Sequence, residues 1–261
     1  MSGVEKLHAS HLYKSKIHEN KETRYIHSVQ AQGLFDQVRV VAAEKGMRLN
    51  PKKTVLLAFS AATSYDVKTF INCEDELILS GGKCRLLGFH FDGRPGVGAH
   101  VEQILKKVRY RTWAIHNLKR LGLSPPGLLR VYTSLVRPCL DFSCVVYHSL
   151  LTKTQSTALE RMQRKILKII YGFDVSYANC LSRSGLSKLS YRRQMLCESF
   201  ARKTLLNPRF SEWFPELPDS DYNLRTRNRF QEFPTRTERL RSAPIYMFRR
   251  QLNNLHAEGE L

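Results

Sequence analysis

At 261 residues, with 42% apolar and 25% charged side chains, the chain has the composition of a folded protein of one large or two modest domains. Its charge is less ordinary: 42 Lys plus Arg against 23 Asp plus Glu leave a net +19, a balance that favours a polyanionic partner. No apolar run approaches the roughly twenty residues of a membrane-spanning helix, and the cysteines form neither a Cys-x-x-Cys pair nor a Cys/His cluster with zinc spacing.

Residues 1–30 are polar and carry His8, His11, His18 and His27 at irregular spacing, so they read as a poorly ordered segment and not as a metal site. Leu34, Val38, Val41 and Ala42 then recur at helical spacing, and Gly46 supplies a stop. Strand candidates follow at Thr54–Ser60, at Phe70–Leu79 with a polar turn at Glu74-Asp75, and at Arg85–Phe91, which Gly81-Gly82 turns into.

From about residue 99 the pattern is helical. Val101, Ile104, Leu105, Val108, Ile115 and Leu118 fall largely on one side, with Lys106, Lys107, Arg109 and Arg111 among them. Ser124-Pro125 opens a second helix, through Leu128, Leu129, Tyr132, Leu135 and Val136, that stops near Pro138. A third carries Leu159, Met162, Ile166, Ile169 and Ile170, ends at Gly172, and keeps Arg161, Arg164, Lys165 and Lys168 on its wet side. A fourth runs from about Ser190 to Leu206, before Pro208. The expected fold class is α+β, a small antiparallel sheet followed by a mainly helical region. The expected divisions are residues 1–30, 31–95, 96–205 and a basic Arg/Pro-rich 206–261. The six cysteines read as reduced, mostly buried thiols, and the chain as nuclear or cytoplasmic, not secreted.

Several pieces together resemble the reverse transcriptases of jockey-type non-LTR (LINE) retrotransposons. Gly46-Met47-x-Leu49-Asn50-x-x-Lys53-Thr54 is similar to a late palm motif of that family. Leu87-Gly88-Phe89-His90-Phe91-Asp92, followed by His100-Val101, is similar to its Leu-Gly-x-x-Asp … His-Ile segment. Leu129-x-x-Tyr132-x-Ser134-Leu135-Val136-x-Pro138, Leu159-Glu160-x-x-Gln163-Arg164, Leu189-x-x-Arg192-Arg193 and the Arg236-Thr237 … Ser242 end follow in the family's order. The resemblance implies a partial palm over 31–95 and a thumb-like region over 96–205.

It also implies what is missing. The family's nucleotidyl transfer uses two divalent metals, Mg²⁺ in the intact enzyme, held by a first-strand Asp and an Asp pair upstream of this Gly46. The chain has eight aspartates and no two are adjacent; Asp219-Ser220-Asp221 follows Pro218 in a polar stretch and reads as a solvated loop. The expectation is a truncated relative that holds no metal or other cofactor and does not polymerise alone. Lys53 matches a lysine thought to protonate departing pyrophosphate, a vestigial general acid at most; Lys52 and Lys53 otherwise start a strand near phosphate. The alternatives are a host-adopted nucleic-acid-binding module, or an enzyme whose carboxylates come from another chain.

Binding is the stronger expectation. Thumb helices of the family track a template–primer duplex through its backbone, a task for many Lys and Arg and no sequence reading. The candidate contacts are Lys52, Lys53, Lys106, Lys107, Arg109, Arg111, Arg161, Arg164, Lys165, Lys168, Arg192 and Arg193, then Arg225, Arg227 and Arg229 in a tail interleaved with Phe230, Phe233, Tyr246 and Phe248. The expected partners are RNA and DNA, as duplex or single strand, with no membrane and no small-molecule substrate, and with self-association through open palm edges.

Overall fold

The computed structural model describes residues 21–57, 70–73, 76–92, 96–217, 228–232 and 234–259, without the side chains of residues 21–28, Asp92 and Arg239. The class is α+β, and the chain divides into two compact units, residues 1–95 and 96–261.

The first unit opens on helix α1 (Lys21–Glu44), which begins inside the segment read as poorly ordered; residues 1–20 lie outside the described residues. Gly46, at φ 69°, ends the helix. Its N–H bonds to Ala43 O and that of Met47 to Ala42 O, a left-handed stop that glycine adopts without a Cβ penalty. Asn50 then caps a 3₁₀ turn (Pro51–Lys53): its Oδ1 accepts from Lys52 N at 3.0 Å while its carbonyl accepts from Thr54 Oγ1 at 2.9 Å. The palm-like motif is thus a helix stop followed by an Asn-capped turn, and it leaves Lys52 and Lys53 exposed.

Strands β1 (Leu56–Leu57), β2 (Phe70–Cys73) and β3 (Glu76–Gly81) form a sheet in the order β1-β3-β2. β2 and β3 are antiparallel, and the Cys73↔Glu76 register leaves Glu74-Asp75, outside the described residues, as the connection. β1 runs parallel to β3, pairing Leu56 with Ser80, so the expected antiparallel character holds for one of these two pairings. The expected Arg85–Phe91 strand is instead a hairpin, β4 (Lys83–Leu86) and β5 (Phe89–Asp92). Leu87 and Gly88 both take positive φ, 48° and 88°, the backbone a two-residue hairpin turn requires, so this turn breaks the strand and Gly81-Gly82 only leads into it. Of the apolar stripe on α1, Ala42 is buried while Leu34, Val38 and Val41 are exposed. Gln32 ties this helix to the sheet, accepting from Asn72 N at 2.7 Å and donating to Asn72 O at 3.1 Å, which satisfies backbone groups of β2.

The second unit is helical: α2 (Gly98–Arg120), α3 (Pro125–Val131), a π segment (Tyr132–Val136), α4 (Arg137–Asp141), α5 (Cys144–Tyr147), α6 (Lys153–Tyr171), α7 (Tyr177–Ser184), α8 (Leu189–Leu205), α9 (Glu238–Arg241) and α10 (Pro244–Ala257). Pro138 does not stop the second predicted helix. The Arg137 N–H reaches back five residues to Tyr132 O, and this widened turn makes room for the proline ring, so the helix continues to Asp141. α6 starts on a full capping box, with Thr152 Oγ1 accepting from Gln155 N at 3.1 Å and Gln155 Oε1 accepting from Thr152 N at 3.0 Å. α7 has no counterpart among the expected helices, although its cap (Ser176) and its left-handed stop (Gly185, φ 63°) are sequence signals.

Residues 206–261 are not a separate basic region. Phe214, Phe230, Met247, Phe248, Leu252 and Leu255 close a core against Cys197 and Ala201 of α8, so α10 is part of the helical unit. The missed signal is the helical spacing of Met247, Phe248, Leu252 and Leu255 behind Pro244. All six cysteines are free, with Cys73, Cys144, Cys180 and Cys197 buried.

Candidate nucleic-acid interface

Tyr132, Glu160 and Gln163 meet in one largely buried polar network. Tyr132, fully buried, donates from its hydroxyl to Gln163 Oε1 at 2.6 Å, and the Gln163 amide donates to the Tyr177 hydroxyl and to Ser187 O, both at 2.9 Å. Tyr177 donates in turn to Glu160, whose carboxylate also accepts the Leu189 N–H at 3.0 Å at the start of α8. Burial pushes the Tyr132 phenol well up from its ordinary range; for Tyr177, burial and then the bond to Glu160 do the same. Arg192 pairs with Asp141 at 2.8 Å. Glu160, Gln163 and Arg192 therefore hold α4, α6, α7 and α8 to one another.

Arg193 is the clear correction among the predicted phosphate contacts. Its side chain is 0% exposed; Nη2 donates to Ser156 Oγ at 3.0 Å, while Nε and Nη1 meet no partner among the described residues. No phosphate reaches it there. Burial first, and then the Arg193 charge, hold the neighbouring His148 down at about 4, so that imidazole is neutral at pH 7.

The other predicted cations separate by helix geometry. α2 and α6 pack side by side in the same direction: Lys119, near the end of α2, donates to Ile169 O, near the end of α6, while Gly98 lies beside Gln155 at their starts. Between them runs a groove of about 340 Å³ lined by Arg109, Thr112, Trp113, His116, Met162, Lys165 and Ile169, with no carboxylate in its lining. Lys106 and Arg120 sit three or four residues from Arg109 and His116, on the same face of α2, and Arg161 and Lys168 flank Lys165 on α6 in the same way.

Lys107, two residues before Arg109, lies on the far side of the helix. Arg111 is turned inward, where its guanidinium donates to Leu135 O and meets Cys139 Sγ. Arg164 covers the Tyr177 ring at 4.9 Å, and Lys168 also donates to Phe173 O at 3.2 Å. In the tail, Arg229 pairs with Glu216 at 2.9 Å and stacks over Phe230, which is core with Phe248 and unavailable to a base. Arg225, Arg227 and Phe233 lie outside the described residues.

The exposed cations of the predicted set that stand along the α2 and α6 faces are Lys106, Arg109, Arg161 and Lys165, with Lys168 beside them; Lys52 and Lys53 are exposed as well, in the first unit. Sequence reasoning missed Trp113, Tyr110, His116 and Arg120. The available signal was Trp113 standing four residues after Arg109, on the polar face, where an aromatic side chain has no core to fill.

Among the described residues no three His, Cys, Asp or Glu side chains gather as metal ligands, and Asp219 and Asp221 fall outside them. No helix of the described residues is long and apolar enough to cross a membrane. The chain matches no protein-family model, no curated protein and no solved structure.

Proposed function

We propose that this chain binds RNA and DNA through the α2–α6 groove, gripping the phosphate backbone, and that it is a reverse-transcriptase-like protein of the non-LTR retrotransposon kind without polymerase activity of its own. The observation that carries the binding reading is the convergence of Arg109 from α2 and Lys165 from α6 on one groove that no carboxylate lines. A net charge of +19 adds a long-range field of the same sign. The ordered series of family-like motifs supports the lineage, and nucleus or cytoplasm is the compartment that suits such partners.

Phosphate-led binding is strongly salt-dependent. With three to five phosphates neutralised, affinity for a duplex is expected to fall roughly 40- to 500-fold between 50 and 200 mM salt, with little dependence on sequence. Fluorescence anisotropy with two unrelated duplexes measures both quantities. A fall of less than about fivefold, or a strong preference for one duplex, counts against the reading. Primer extension on an RNA template with Mg²⁺, run beside the binding assay, is expected to give no product. Extension lost on changing one carboxylate of this chain would overturn the inactive assignment.

A further inference from the structure

Trp113 in the groove's lining, and Tyr110 whose ring stands next to it, bear on the kind of nucleic acid bound. Trp113 and Tyr110 are 62% and 73% exposed, far more than side chains of this size need be beside a packed helical core. Their rings are nearly parallel, 29° apart, with centroids separated by 6.4 Å. That separation is close to twice the roughly 3.4 Å spacing of successive stacked bases. Arg109 and Lys165 line the groove beside Trp113, with Lys106 one helical turn before Tyr110. Cations for phosphates and open ring faces for bases thus share one surface.

We infer that this groove takes single-stranded nucleic acid in preference to closed duplex, with an unpaired base stacked on Trp113 against Tyr110 and its neighbouring phosphates held by Arg109 and Lys165. A closed duplex offers its phosphates to the same cations but keeps its base faces covered by their neighbours, so the exposed rings gain nothing from it. Every base has a π face, so the contact is indifferent to sequence and enters as an added affinity for strands whose bases are free. Charge complementarity selects the occupant: an apolar peptide or a second copy of this +19 chain would meet the same cations without an anion to offer.

The inference rests on the nucleic-acid-binding reading above, and the test separates the two. The full chain is titrated with a dT20 oligonucleotide and with a blunt 20-base-pair duplex, as wild type, Trp113→Ala and Trp113→Phe. Trp113→Ala is expected to weaken dT20 binding roughly 5- to 150-fold and duplex binding less than twofold, while Trp113→Phe keeps most of the dT20 affinity. The chain has two tryptophans, so Trp213→Phe leaves Trp113 as the sole tryptophan, excited selectively at the red edge; its fluorescence is expected to be quenched by dT20 and little changed by the duplex. Equal losses for both probes, or an unquenched Trp113 with dT20 bound, would overturn the stacking role and leave phosphate binding intact. A wild-type chain that binds neither probe would overturn both.

Discussion

Replacing Gln163 with leucine is expected to cost about 2–4 kcal/mol of stability, because the change strands a buried donor without altering side-chain volume greatly. Among the described residues Gln163 is the sole acceptor in place for the hydroxyl of fully buried Tyr132, and its amide bridges Tyr177 and the backbone just before α8. Leucine has no polar atom for any of these groups. Adding Tyr132→Phe removes the stranded hydroxyl as well, so the double variant should recover about 1–2 kcal/mol relative to the sum of the singles. Urea unfolding of the four proteins measures the cycle. A Gln163→Leu cost below about 1 kcal/mol, or additive singles, would show that the network is not coupled as described.

Arg193→Met is expected to raise stability by about 1–3 kcal/mol and to leave nucleic-acid affinity within about twofold. The guanidinium is buried with one hydrogen bond, to Ser156, and among the described residues no partner for Nε or Nη1. Methionine keeps much of the volume and has no charge to desolvate. Arg193→Ala is expected to destabilise instead, since it leaves a cavity where the side chain was. Chemical denaturation and anisotropy on the same samples read both quantities. A methionine variant weaker by about 2 kcal/mol would mean that the cation stabilises the fold, and a large drop in affinity would place Arg193 at the nucleic acid after all.

Much of the helical half was legible because its signals are local. Val101, Ile104, Val108 and Ile115 mark a buried stripe by spacing alone, and Gly172 and Pro208 mark ends. What failed depends on choices that spacing does not report. Pro138 looks like a stop unless the turn before it widens, and Leu87-Gly88 looks like strand interior unless both residues take positive φ. The tail misled through composition: Phe230 and Phe248 stand among arginines in sequence, yet they form core because α10 folds back on α8.

The candidate site was half legible for a similar reason. Charge identifies Lys106, Arg109, Arg111, Arg192 and Arg193 equally well, but only packing shows that Arg111 turns to a carbonyl, Arg192 to Asp141, and Arg193 into the interior. Tyr132, Glu160 and Gln163 each end in the internal network.

The division at residues 95 and 96 has a consequence for the cooperativity of melting. In the first unit the buried apolar side chains of the described residues are Ala42, Ile71, Cys73 and Phe89, set against the long series from Val97 to Leu255 in the second. The described part of that core is small, and a smaller core yields to heat before a larger one, so an all-or-none transition is not the expected behaviour. Scanning calorimetry should resolve two endotherms, the first with the smaller enthalpy and with the loss of the α1 share of the helical signal at 222 nm, while the larger share persists into the second. One endotherm whose calorimetric and van't Hoff enthalpies agree would make the chain a single cooperative unit. Otherwise this protein has no one melting temperature, and a variant's effect has to be assigned to the transition its residue belongs to.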